Sequence, residues 1–320
     1  MTCCRVCGHD GEATLHQARE MMFGRGGSYT YRECPVCGTL QLLNVPDDLS
    51  AHYPPDYYSY DAGRRPRWEM LTTWLKMRRG KAHLGGGDLL GSLVLRRTGP
   101  SHNLLWLERL GLGLDATILD VGCGHGELLM EMQRDGCRHL TGADPFVDAE
   151  IDHGAGLRIL KTDLGGLNGA WDLIMLHHSF EHMPDPVGTF TDLARLTAPG
   201  GHVLIRVPLA DSAAWRRYGV DWVQLDAPRH LFLFTNDAVG RLAAGSGFRI
   251  DAVDYDSTAF QFWGSEQYRR GIPLRGTGSQ GSDAADPLFT PGEIAAWSDD
   301  ALRLNNAGEG DQAAFFLSRI

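Results

Sequence analysis

Three groups of residues in this chain have the types and the spacing to do chemistry. His177-His178-Ser179-Phe180-Glu181-His182 sets three imidazoles and a carboxylate within six residues. Imidazole titrates near neutrality, so this segment can take a proton from a substrate, with the carboxylate orienting the ring. His178, His182 and Glu181 are the catalytic candidates, and packing or loop capping is the competing role for each. The second group is Asp120-Val121-Gly122-Cys123-Gly124-His125-Gly126-Glu127. Glycines let the backbone approach a ligand, and the helix that follows aims free N–H groups at it. The dinucleotide pattern G-x-G-x-x-G would put its third glycine at 127, where this chain has Glu127, so the loop suits another nucleotide. The third group is Cys4-x2-Cys7-Gly8 and Cys34-x2-Cys37-Gly38, two knuckles of one form with 26 residues between them. Four thiolates in such turns suit tetrahedral zinc. Cys3 competes as a first ligand, but only Cys4 repeats the spacing of the second knuckle. Cys123 and Cys137 read as small packing residues, and no disulfide framework is expected in a chain of this size.

The elements that must position these groups alternate in type. A strand at 118–121 ends beside Asp120, and an amphipathic helix follows until Asp135-Gly136. A second strand at 138–144 ends in Asp144, 24 residues after Asp120, where a carboxylate can accept both hydroxyls of a ribose. Strands are expected at 157–164 and 171–178, the latter an apolar run suited to burial on both faces of a parallel sheet. Pro199-Gly200-Gly201 then turns the chain into a fifth strand at 202–208, with a sixth at 248–253 and a seventh at 313–318. Asp185-Pro186 caps a helix bearing Val187, Phe190, Leu193 and Leu196, and Thr235 caps another through Ala244. The histidine segment therefore leaves the sheet at its carboxyl edge, where open α/β sheets bind ligands. After the fifth strand, Trp222, Asp226, Arg229 and His230 are expected to touch substrate, the indole by stacking and the others by polar contact. A packed loop held by an Asp–Arg pair is the alternative. Residues 257–311, an unusually long stretch rich in Gly, Ser and Asp, are expected to be mobile in one part and to cover the substrate with another.

The chain divides into residues 1–45 (the ribbon), 46–115 (a helical connector) and 116–320 (the catalytic domain). The connector opens with Tyr53-Pro54-Pro55-Asp56-Tyr57-Tyr58, and its expected helices near 68–79 and 104–110 are separated by Gly85-Gly86-Gly87. Thirty basic against forty acidic residues give a net charge of −10, which argues against a nucleic-acid partner. The longest apolar runs are strand-sized, so no membrane span is expected, and the cytoplasm is the expected location.

The C-x2-C-G ribbon, the Tyr-Pro-x-x-Tyr-Tyr connector, D-V-G-C-G-x-G, H-S-F-E-H-M-P-D-P and P-R-H-L-F occur here in one order. Together they resemble the bacterial zinc-ribbon class I methyltransferases of surface polysaccharides, deoxysugars and secondary metabolites, which use S-adenosylmethionine (SAM). The resemblance implies a Rossmann-like sheet of seven strands with helices on both faces. It implies a SAM site of Asp120, Gly122, Cys123, Gly124, Gly126, Asp144, Pro145, Asp163, Leu164 and His177, with Asp163 on the adenine amino group and the Leu164 N–H on the ring. It implies a structural zinc on the four knuckle cysteines. In the similar sugar C-methyltransferases a Glu-His pair and an N-terminal tyrosine act, and Glu181, His182 and one of Tyr57 or Tyr58 match them. This chain is shorter at its C-terminal end than those enzymes, so O-methylation of a sugar, glycan or other small polar acceptor is the expected reaction, with C-methylation behind it. A zinc-ribbon RNA methyltransferase would be basic, and a non-catalytic SAM-binding module would show broken cofactor motifs, of which none is visible.

Overall fold

The computed structural model describes residues 3–46, 48–49, 52, 69–87, 89–276, 278–280 and 287–320. In chain order the elements are β1 (Thr14–Arg19), β2 (Ser28–Glu33), β3 (Leu40–Leu42), α1 (Glu69–His83), α2 (Leu89–Thr98), α3 (His102–Arg109), β4 (Thr117–Val121) and α4 (Glu127–Arg134). There follow β5 (His139–Ala143), β6 (Ile151–Gly154), β7 (Leu157–Leu160), β8 (Trp171–His177), α5 (Pro186–Leu196) and β9 (Thr197–Pro208). The chain closes with α6 (Ala213–Tyr218), β10 (Phe232–Leu233), α7 (Asn236–Gly245), β11 (Phe248–Tyr255), α8 (Phe260–Arg269), α9 (Pro291–Asn306) and β12 (Gln312–Arg319). The larger sheet has eight strands in the order β11-β12-β9-β8-β4-β5-β7-β6, and the smaller has four in the order β1-β2-β3-β10. Two compact units emerge. One comprises Met1–Pro54, His178–Phe190 and Ile205–Leu317, and the other Pro55–His177, Thr191–Leu204 and Ser318–Ile320.

In the second unit β4 lies parallel to β5 and to β8, with Val121 opposite Ala143 and Ile118 opposite Leu173. Ile118, Leu119 and Val121 are all buried, as a strand covered on both faces requires. Helix α4 turns Leu129, Met130 and Met132 inward. Helix α1 crosses the end of α4 so closely that a Cβ on Gly80 would stand 1.8 Å from the carbonyl oxygen of Asp135. Arg79 pairs with that aspartate at 2.5 Å, and the Ser101 hydroxyl donates to it as well. The connector helices thus brace the base of the glycine-loop domain.

The first unit is built round aromatic rings. Phe180, fully buried, stacks on Phe234 at 4.4 Å and meets Phe190 edge-on at 5.5 Å, while Phe232 and Phe248 extend the cluster. Truncating a ring of this kind costs about 3–5 kcal/mol, so Phe180 anchors the histidine segment from within. The smaller sheet is completed by β10, which pairs antiparallel with β3, Leu233 opposite Leu40.

Several sequence expectations need correction. The larger sheet has eight strands, not seven: Ile151-Asp152-His153-Gly154 adds an antiparallel edge beside β7, with a single apolar residue to signal it. The connector carries an additional helix, α2, after the glycine run. Strand β9 starts at Thr197 and runs through Pro199-Gly200-Gly201, where a turn was expected. Residues 257–311 contain α8 and α9. Helix α9 begins at a Thr290/Glu293 capping box with Pro291 behind the cap, a signal present in the sequence. Among the described residues, no helix is long and apolar enough to cross a membrane.

Candidate functional site

The glycine loop leaves β4 with Gly122, Gly124 and Gly126 at φ of +75°, +54° and +83°. These are left-handed conformations that a side chain resists, so the alternate glycines are a backbone requirement. The Gly122 N–H is bound to the carbonyl of Ala143 at 2.8 Å, which ties the loop to the end of β5. Gly126 caps α4 without a side chain, leaving the helix N-terminus to backbone donors alone. Asp144, at the tip of β5, accepts from the Gly124 N–H at 2.9 Å and from the Phe146 N–H at 2.8 Å. Those bonds fix the carboxylate while leaving it further lone pairs for hydroxyl donors. Asp120 is 3% exposed, and its Oδ1 has no hydrogen-bond partner. Burial, and then the charge of Asp144, push its carboxyl up to about 8. A buried acid with an orphaned oxygen beside three glycines is a place for a donor from a bound molecule. The cradle therefore fits an adenosyl cofactor bearing hydroxyl and ammonium groups.

The other residues expected round the cofactor belong to the same unit. Cys123 packs its sulfur where a Cβ on Gly142 would stand, 2.4 Å away, so it lines the loop by its backbone while its side chain fills space. Asp163 is exposed and accepts from the Gly166 N–H at 2.9 Å, next to the buried Leu164. His177 ends β8 with its ring 5.6 Å from that of Trp106. Pro145 is exposed, and beside it Phe146 is 78% exposed. Phe146 is a flat apolar surface beside Asp144, and the sequence reading passed over it because a lone phenylalanine in a loop carries no spacing signal.

In the other unit the segment after β8 forms a tight turn at Phe180–His182. Glu181 is completely buried, and neither carboxylate oxygen has a partner in hydrogen-bonding geometry. His178 Nδ1 stands 3.4 Å from Glu181 Oε1, and His230 Nε2 stands 3.9 Å from the same oxygen. Burial works to raise the Glu181 carboxyl, but the contact with His178 and the charges of His182, His178 and His230 hold it at about 2. Burial, and then His182, push His230 down to about 4, so this ring is neutral at neutral pH. His178 Nε2 accepts from Arg206 Nη1, while Arg206 Nε pairs with Asp256 at 2.5 Å. With Nε2 accepting, Nδ1 of His178 carries the hydrogen and faces Glu181. His182 donates Nδ1–H to the Arg229 carbonyl at 2.8 Å. The two candidates are thus held differently: His178 lies between Arg206 and Glu181, and His182 is tied by Nδ1 to the Arg229 carbonyl.

Of the four substrate-contact candidates after β9, all are buried, and three of them pair away from the histidine segment. Trp222 is fully buried and its indole N–H donates to Asp311 at 2.9 Å, so no face is left on which a substrate could stack. Arg229 is 1% exposed and lies between two buried carboxylates. Its Nε donates to Asp226 at 2.9 Å, its Nη2 reaches the other Asp226 oxygen, and Nη1 and Nη2 both donate to Glu20 at 3.2 Å. Burial alone would raise Asp226, but Arg229 holds it below the usual carboxylate range. This is the packed Asp–Arg loop, with Glu20 as a third member that no motif announced. His230 alone of the four joins the histidine segment. Tyr57 and Tyr58 lie outside the described residues.

The four knuckle cysteines converge, with all sulfurs within 4.8 Å of one another. Cys4 and Cys37 are 3.6 Å apart and Cys7 and Cys34 3.5 Å apart, against roughly 3.8 Å round a tetrahedral zinc with bonds near 2.3 Å. The contact with Cys4 Sγ, helped by Thr39, pulls the Cys37 thiol down to about 4. The set fits a closed metal site. It is joined to the histidine side of the unit: Thr235 Oγ1 donates to the Cys37 carbonyl at 2.5 Å, and Tyr31 donates to the His230 carbonyl at 2.7 Å.

In the larger sheet β4 runs through three alternate glycines into α4, and Asp144 closes the parallel neighbour β5. Residues 95–253 match the family model for methyltransferase domains. The chain is similar to the ubiquinone biosynthesis O-methyltransferase of Serratia proteamaculans (strain 568), 33% identical over 139 residues, which cover 40% of this chain and 58% of the relative. The same enzyme of Sodalis glossinidius is 31% identical over 135 residues, 38% of this chain and 54% of the relative. The chain thus spans just over half the length of these curated relatives. A solved S-adenosylmethionine-dependent methyltransferase from Mesorhizobium loti aligns over 68% of this chain and 98% of its own, with 16% identity and a TM-score of 0.43.

Proposed function

We propose that this chain transfers a methyl group from SAM to a hydroxyl oxygen of a small polar acceptor, such as a sugar, a glycan or a secondary metabolite. The observation that carries the reading is the acid pair round the glycine loop, Asp144 held open by backbone donors and Asp120 with its orphaned Oδ1. Asp144 would hold the ribose hydroxyls, Asp120 and the loop N–H groups the remaining polar edge, and Phe146 would lie against the base. The cofactor supplies a methyl group made electrophilic by its attachment to a positively charged sulfur. This chain's own contribution is alignment and removal of the acceptor proton. His182 Nε2 is the nitrogen to which that proton can pass, with the buried charge of Glu181 steadying the imidazolium and His178 holding Glu181 in place. Oxygen as the methylated atom is supported by the curated relatives, which are O-methyltransferases by name. The four cysteines hold a structural zinc, whose closed ligand set has no position for substrate.

The test is release of the demethylated cofactor over a panel of nucleotide sugars, glycans and RNA, with products identified by mass. A gain of one methyl on an oxygen of a small acceptor is the expected result. Turnover on RNA alone, or tight SAM binding with no turnover on any acceptor, would overturn the reading.

A further inference from the structure

Glu181, His182 and His230 each offer a ligand atom, and these atoms lie within 4.8 Å of one another. Two distant segments supply them, the turn after β8 and the loop before β10. Hydrogen bonding fixes the tautomers. His182 gives Nδ1–H to the Arg229 carbonyl, and His230 gives Nδ1–H to the Gln224 carbonyl, each at 2.8 Å. A carbonyl cannot donate, so in both rings Nδ1 carries a hydrogen, and in the neutral ring the lone pair falls to Nε2. His230 Nε2 stands 3.9 Å from Glu181 Oε1, and the Glu181 oxygens, fully buried, have no hydrogen-bond partner. Two imidazoles that hand their other N–H to backbone carbonyls, converging with a buried carboxylate, are arranged as metal-bound histidines are.

We infer that Glu181, His182 and His230 form a seat for a divalent transition-metal ion, separate from the cysteine cluster and with positions open to an acceptor oxygen. Two imidazoles and one carboxylate favour zinc or its neighbours over magnesium and calcium, which prefer all-oxygen shells. Round a tetrahedral ion such donors sit about 3.3 Å apart, so the present 3.9 Å closes by less than 1 Å on loading. Glu181 and His230 are buried while His182 is half-buried, so the open positions are reached from the side of His182. The seat itself does not depend on the methyl-transfer reading, and only its use does. An ion held there would engage His182 and supply Lewis acidity to an acceptor oxygen, so the base role of His182 would belong to the metal-free chain.

The experiment uses the full chain without a histidine tag, stripped by a chelator, reloaded with zinc and analysed for metal, then repeated with cobalt. The parent should hold a second zinc beyond that of the cysteine cluster, and His230→Gln should lose that one alone. Cobalt should show a weak, thiolate-free spectrum that vanishes in His230→Gln, while the intense cysteine–cobalt bands persist. Those persisting bands show that the variant is folded, and Glu181→Gln repeats the test without touching a histidine. A parent that holds one zinc at millimolar free metal, with no thiolate-free cobalt signal, overturns the seat. Methyl transfer that survives that result leaves the functional reading standing, whereas two bound metals with no turnover on any acceptor count against the functional reading alone.

Discussion

Replacing Arg229 by alanine removes the one guanidinium between Asp226 and Glu20, both of which are buried. Its Nε bond to Asp226, its shared bonds to Glu20 and its bond to the His52 carbonyl at 3.4 Å all vanish together. Two carboxylates are then left in the interior with their main counter-charge gone. Breaking a buried pair in this way costs about 3–5 kcal/mol, most of it the penalty for the stranded charge. Arg229→Met fills the volume but strands the same acids, so it should be nearly as damaging. Arg229→Lys should recover only part, because an ammonium cannot make the forked contact with Asp226. Combining Arg229→Met with Asp226→Asn and Glu20→Gln should restore much of the loss, since no buried charge then remains. Urea unfolding of the zinc-loaded protein measures all four. A loss below about 1 kcal/mol for Arg229→Ala would refute the assignment of Arg229 to the interior and return it to the substrate.

Asp144→Ala should weaken SAM binding by about 2–4 kcal/mol in calorimetry, and unchanged affinity would remove this acid from the ribose. Asp120, with its carboxyl at about 8 in the folded chain against an ordinary 3.8, keeps its proton where the unfolded chain has lost it. Stability should therefore fall as pH rises through that window, by roughly 1.4 kcal/mol per unit at most, and Asp120→Asn should flatten the curve in urea titrations at several pH values. Cys34→Ser should lose zinc and raise hydrogen exchange in β1–β3 and also in residues 229–235, because Thr235 and Tyr31 tie the two together. His182→Ala should lower turnover by about 10²–10⁴-fold at full SAM affinity, and a loss under tenfold with the true acceptor would leave proximity as the source of rate.

Much of the fold was legible because its signals are local. A glycine triplet after an apolar strand, an acid at the next strand tip and paired C-x2-C-G knuckles each lie within a few residues. All seven strands read from the sequence are present, whereas β6 escaped because an edge strand needs no apolar alternation. The histidine segment was legible as chemistry but not as geometry. Whether His178 or His182 keeps a lone pair depends on Arg206 and on the Arg229 carbonyl, both far along the chain. Trp222 and Arg229 misled for a related reason. Aromatic and charged residues in alternation describe a binding loop and a buried ion-pair loop equally well, and only Glu20 and Asp311 decide between them.

The pairing of β10 with β3 has a consequence for how the protein is made. As synthesis proceeds, both knuckles emerge well before β10 and could take metal by then. The last strand of their sheet leaves the ribosome only after the whole glycine-loop segment has been translated. Until then the outer edge of β3, with Leu40 and Leu42 on it, is an unpaired strand exposed to other nascent chains. Closing so distant a pair is slow, because the loop entropy falls due before any contact forms. Early metal binding at the knuckles would hold that edge in shape during the wait, so zinc starvation during expression should show first as aggregation and only later as lost activity.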